Sequence, residues 1–136
     1  MRAAKPARAR PRAKANPVRG EVLLTLGGVE YRLRPTCEAA LAIEEALDSS
    51  MLALCQRAGA VALGYRDLAV IAGAFIRAGA EPDDKLTANT NDEALERLIY
   101  AEGQIKVIGI LSAVMTNVVS GGYTPSGELR AVTENP

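Results

Sequence analysis

The chain has no histidine and no tryptophan, and its 136 residues include only one phenylalanine, Phe75, four tyrosines and two cysteines. Without histidine, the one side chain whose ordinary pKa lies near neutrality is missing, and with it the commonest general acid or base and a frequent metal ligand. With five aromatic side chains, stacking platforms for nucleic-acid bases are scarce. Together these absences predict a protein that is not an enzyme and needs no cofactor and no metal. Cys37 and Cys55 lie among alanines and leucines in helical patterns, so both are expected to act as small buried hydrophobes in a reducing setting. No long hydrophobic run is present either. The longest apolar stretch, Val107 to Val119, is interrupted by Gly109, Ser112, Thr116 and Asn117 and falls short of the roughly 18 to 20 residues a membrane span needs. No membrane association is expected.

Charge is balanced overall, with 16 basic and 16 acidic residues, but it is unevenly distributed. Residues 1–19 hold seven of the basic residues and no acid, leaving an acidic body. Residues 1–18 read as a disordered basic arm without the apolar centre of a secretory signal. A solvated extension accounts for it, and contact with nucleic acid is confined to this arm and not expected of the body.

Residues 19–120 read as one domain, α+β in class: a mainly α-helical single domain of four to five helices, preceded by one N-terminal β-hairpin. Val22, Leu24 and Leu26 alternate, Gly27-Gly28 follow, and Val29, Tyr31 and Leu33 return on the same face. Two glycines suit the positive backbone angles of a two-residue hairpin turn. The opposite face carries Glu21, Leu23, Thr25, Glu30, Arg32 and Arg34. Helices are expected at about Cys37–Asp48, capped by Thr36; Met51–Ala58, capped near Ser50; and Tyr65–Ala78. A last helix starts near Asn91 and bends at Gly103 on its way to about Val119. Residues 79–91 read as an acidic, polar connection, and residues 121–136 as a flexible C-terminal tail.

No constellation for chemistry stands out. Glu44 and Glu45 are helix neighbours that do not face each other, and they read as part of a solvated acidic face. Glu81, Asp83 and Asp84 lack the alternation and closing glutamate of a calcium loop. The Gly59–Gly64 connection is too long for a DNA-binding helix-turn-helix. What remains is apolar surface for partners. Leu23 stands on the polar hairpin face, Leu41 in the acidic face of the first helix, and Val107, Val114 and Val118 on the outer part of the broad apolar face of the last helix. These five are the candidate partner-binding residues.

The stretch Asn16-Pro17, Arg19-Gly20-Glu21-Val22, Leu24-x-Leu26-Gly27-Gly28, Tyr31-x-Leu33-Arg34 and Thr36, followed by Ala42-Ile43-Glu44-Glu45-Ala46-Leu47, resembles a small family of phage-like gene transfer agents and prophage tail clusters. Its members are variously labelled tail tube protein or tail assembly chaperone. The resemblance covers about residues 16 to 80 and implies a non-enzymatic tail assembly chaperone that holds the tape measure protein until tube subunits polymerise round it. The alternative it implies is a structural component of the tail tube in the virion or gene transfer agent particle. The implied partners are a tape measure protein and a tail tube protein, with a homo-oligomer as a further state. The implied location is the cytoplasm of a bacterial host, or the particle under the alternative.

Overall fold

The computed structural model describes residues 14–121 and 124–128. The expected arm thus lies outside the described residues over 1–13, and the expected tail over 122–123 and 129–136. Residues 17–19 form a short 3-10 turn, with the Asn16 side chain accepting the Val18 N–H at 3.0 Å.

The hairpin forms in the expected register. Strands β1 (Val22–Leu26) and β2 (Val29–Leu33) are antiparallel, pairing Val22 with Leu33, Leu24 with Tyr31 and Leu26 with Val29. Gly27 and Gly28 have φ of 58° and 79°, the two positive angles a tight primed turn requires. Leu24, Leu26 and Leu33 are fully buried. Glu21, expected to face outward, is buried instead, for a reason that lies in the terminal junction described below.

Six α-helices follow, one or two more than expected. Helix α1 (Cys37–Leu47) is capped by Thr36, whose Oγ1 accepts the Ala39 N–H at 3.0 Å. Helix α2 (Met51–Gly59) is capped by Ser50, and Glu44 reaches across from α1 to accept the Met51 N–H at 2.8 Å. Glu44 is therefore a cap between helices and not a free member of the acidic face. Helix α3 (Tyr65–Ala78) starts where Asp67 accepts the Gly64 N–H at 3.0 Å.

The connection read as irregular holds the four-residue helix α4 (Lys85–Ala88), because Asp84 accepts both the Thr87 N–H and the Thr87 hydroxyl. Helix α5 (Asp92–Glu102) is capped by Asn91. Gly103, at φ 111°, breaks the chain into a separate helix α6 (Gln104–Ser120), and the two helices turn by 117° instead of continuing through a bend. No single helix among the described residues is long and apolar enough to cross a membrane.

Helix α3 is the centre of the fold. Leu68 to Ile76 are buried without interruption, so the helix is covered on every side, by α1, α5, α6 and the strand β2. The hairpin closes this assembly by laying β1 on α6 and β2 on α3, with the Arg34 N–H donating to Phe75 O at 3.1 Å. Just past the helix, the backbone of Gly79 runs so close to the Arg32 carbonyl that a Cβ there would overlap the carbonyl oxygen.

Two substitutions test this packing. Gly79→Ala forces the hairpin off the end of α3 and is expected to cost about 1–3 kcal/mol, as overpacking does. Gly59→Ala, at the end of α2 with nothing near its would-be Cβ, should be neutral or gain up to about 1 kcal/mol. Urea unfolding of both variants checks the contrast. A third variant addresses Val61, an exposed β-branched residue held at φ 56° in the α2–α3 connection. Val61→Asn, which tolerates that angle, should raise the denaturation midpoint by the equivalent of about 1 kcal/mol.

Candidate partner-binding surface

The five sequence-derived contact residues do not form one surface. Leu23 is half-buried on the outer hairpin face opposite Arg32. Leu41 is 59% exposed on α1. Val107 and Val114 are fully buried core residues, which corrects their placement on an outer face. Helix α6 is enclosed by α2 on one side and by α3, α5 and β1 on others, so its broad apolar face is spent inside the molecule. Val118 is half-buried in a small groove of about 260 Å³, beside Pro35, Ala40 and Pro125.

Three surface features remain once the core is accounted for. The first joins α1 and α2, where Leu41 and Leu52, 59% and 64% exposed, stand on adjoining helices. Around Leu41 the exposed side chains are Glu38, Glu45 and Asp48, none of which has an ion-pair partner among the described residues. Helix α1 carries no basic residue, so this face is acidic with an apolar centre. Leu52 does not stand out in the sequence because it directly follows the start of a short helix, where few turns exist to show a periodicity.

The second feature joins residues 16–21 to residues 124–128. Glu21 is 2% exposed in its side chain; its Oε1 accepts the Asn16 N–H at 2.9 Å, and its Oε2 lies 3.9 Å from both Arg19 and Arg34. Two flanking guanidiniums offset the cost of burying this carboxylate, although Glu21 Oε2 and Arg34 Nε themselves make no hydrogen bond among the described residues. Arg19 also reaches Glu128 at 3.5 Å, and the Cys37 N–H donates to Pro125 O at 2.8 Å. Asn117 of α6 donates to Gly20 O at 2.9 Å. Residues 124–128 are thus tied to the domain, where composition alone suggested a free tail.

The third feature is a shallow groove of about 680 Å³ lined by Tyr65, Arg66, Glu93, Glu96, Arg97 and Tyr100. The Tyr65 and Tyr100 rings are 5.7 Å apart and inclined at 51°, and Arg66 pairs with Glu96 at 3.3 Å. A signal for it exists in the sequence. Tyr100 falls seven residues after Glu93 and three after Arg97, an aromatic ring on the charged stripe of an amphipathic helix.

The cysteines differ from expectation. Cys37, the first residue of α1, is exposed because its neighbours in space are its own helix start and the Pro125 turn. Cys55 is half-buried, and burial pushes its thiol pKa up, so it holds its proton at neutral pH. In a thiol titration with a disulfide reagent at about pH 7.5, Cys37 should react at least about tenfold faster than Cys55, given its access to solvent. The Cys37→Ser variant should lose the fast phase alone.

Against protein-family models, residues 19–121 match the family described as "phage tail tube protein, GTA-gp10". No curated protein and no solved structure matches the chain. The matched segment opens at the Arg19–Glu21 junction, takes in the hairpin and all six helices, and closes just past the end of α6. The chain therefore belongs to the phage tail tube family of gene transfer agents.

Proposed function

We propose that this protein is a structural component of a phage-like tail tube, acting by contact with copies of itself and with other tail proteins and not by catalysis. The family supports a place in the tail. The observation that carries the finer reading is the hairpin: it is the whole sheet among the described residues, and no third strand pairs with β1 or β2. The outer edge of β1 has no strand beside it among the described residues and is a template for another strand, whereas the outer edge of β2 meets the end of α3 at Gly79 and Phe75. Copies arranged in a ring can add an extended segment of one along β1 of the next, which joins neighbouring copies by main-chain hydrogen bonds. The helical body, docked on the inner hairpin face, would then form the rim. On this reading the protein ends in the particle after synthesis in the bacterial cytoplasm.

A second reading, an assembly chaperone that holds the tape measure protein, is favoured by one specific observation. The α1–α2 face, with Leu41 and Leu52 amid acids that have no ion-pair partner among the described residues, suits reversible capture of an apolar and basic helical client. A hairpin also contributes few strands per copy to a tube wall.

A photo-crosslinking residue in place of Leu23, on the outer hairpin face, separates the two. In finished tails the tube reading predicts cross-links from this position to a second copy of the chain. Cross-links to the tape measure protein, seen only in precursors and never between copies, would instead establish the chaperone. Deletion of the gene should leave heads without tails; normal tails would rule out both readings.

A further inference from the structure

The Tyr65–Tyr100 groove is built from a helix stripe that is complementary to itself. Along α5 the stripe reads Glu93, Glu96, Arg97 and Tyr100, at spacings of three, one and three residues. Turned end for end about a point midway between Glu96 and Arg97, the stripe sets Glu96 opposite Arg97 and Glu93 opposite Tyr100. Every one of those four meetings joins an acceptor to a donor: carboxylate with guanidinium, and carboxylate with phenol hydroxyl. A shift of half a residue would set Arg97 against its own copy, so charge picks one register.

From this symmetry we infer that the free protein is a two-fold symmetric dimer, formed by antiparallel packing of α5 against the α5 of a second copy. Glu93 and Arg97 have no ion-pair partner within the chain among the described residues, and both are exposed. Tyr100 is 72% exposed. Tyrosine and arginine are the residue types that most often anchor interfaces, because each buries a large rigid area and keeps a hydrogen-bonding tip. Ala94 and Ala101, both exposed on α5, let two helix backbones come close. Across the axis the Tyr65 and Tyr100 rings of each copy form the ends of the contact, and the two Glu96–Arg97 pairs form its centre. Arg66, already paired with Glu96 at 3.3 Å, completes a charge network in which each Glu96 carboxylate meets two guanidiniums.

Such a contact is isologous: it uses the same patch on both copies and closes on itself. A polar tube grows by head-to-tail contacts, so the α5 dimer is the unassembled form and is exchanged for other contacts on assembly. The inference stands on the α5 stripe and does not depend on whether the protein ends in the tube or serves as a chaperone.

Sedimentation velocity on the full chain over a wide concentration series tests it, with two charge variants. Arg97→Glu sets two carboxylates against each other at the centre of the contact, and Glu96→Lys sets an ammonium against the guanidinium of Arg97, so each variant alone should be monomeric. Mixed in equal amounts, they restore opposite charges at both central meetings, carboxylate to carboxylate being replaced by carboxylate to cation, and should form a heterodimer. Tyr100→Ala, which changes no charge on a solvent-exposed position, should weaken the dimer about tenfold or more. Circular dichroism establishes that each variant is folded. A wild-type protein that stays monomeric, a dimer unaffected by Arg97→Glu, or a mixture of folded variants that remains monomeric would each overturn the inference. If Glu96→Lys fails to fold through loss of its Arg66 partner, the Arg97→Glu and Tyr100→Ala results decide alone.

Discussion

The structure depends on the complete burial of α3 from Leu68 to Ile76. A helix covered on all sides must present small residues where neighbours cross it closely and large ones where the gaps are deep. Its sequence does both. Leu68, Ile71, Phe75 and Ile76 fill the core, while Ala69, Ala72, Gly73 and Ala74 let α1, α5 and β2 approach. At Gly73 a side chain would run into Asp92 and Arg77, the pair that joins α3 to the start of α5 at 3.0 Å. The one phenylalanine sits in the last turn of this helix with no exposure, and its carbonyl receives the N–H that ends the hairpin.

From that helix the other elements take their places. Hairpin β1–β2, too small to be stable in water by itself, gains its stability by packing Leu24, Leu26 and Leu33 against the helices. Its far end is fixed by a buried carboxylate between two arginines, and Asn117 of α6 ties the same end to the last helix. Because the inner hairpin face is spent on the core and β2 abuts the end of α3, the outer face and the edge of β1 are what is left for other molecules. The same economy holds for the middle of α6, where Val107 and Val114 are consumed inside, while Ile105 and Val119 near its ends stay exposed.

Much of this is legible in the sequence, and the reasons for the rest are physical. The hairpin register follows from period-two alternation on either side of two glycines, and α1, α2 and α5 start at the cap residues Thr36, Ser50 and Asn91. Helix α4 is not legible because four residues hold no periodicity, and only the Asp84–Thr87 cap marks it. The break at Gly103 reads as a bend, since a glycine inside a helical pattern does not announce its positive φ. Glu21 looks like a surface residue because the arginines that accompany it inside are two residues before and thirteen after it. Val107 and Val114 read as outward-facing because a helix apolar on most of its circumference shows no inside and outside until its neighbours are known. The α5 side of the Tyr65–Tyr100 groove shows in the spacing of Glu93, Arg97 and Tyr100, but its meeting with Tyr65 and Arg66 of α3 is a tertiary contact that spacing does not encode.

Membership in a tail tube family and a fold with a single open-edged hairpin lead to one central claim, that the protein remains in the particle it helps to form. Quantitative mass spectrometry of purified particles tests that claim most directly. The tube reading predicts many copies per tail, in a number that rises with tail length when the tape measure protein is extended. Complete absence of the chain from particles with normal tails would contradict it.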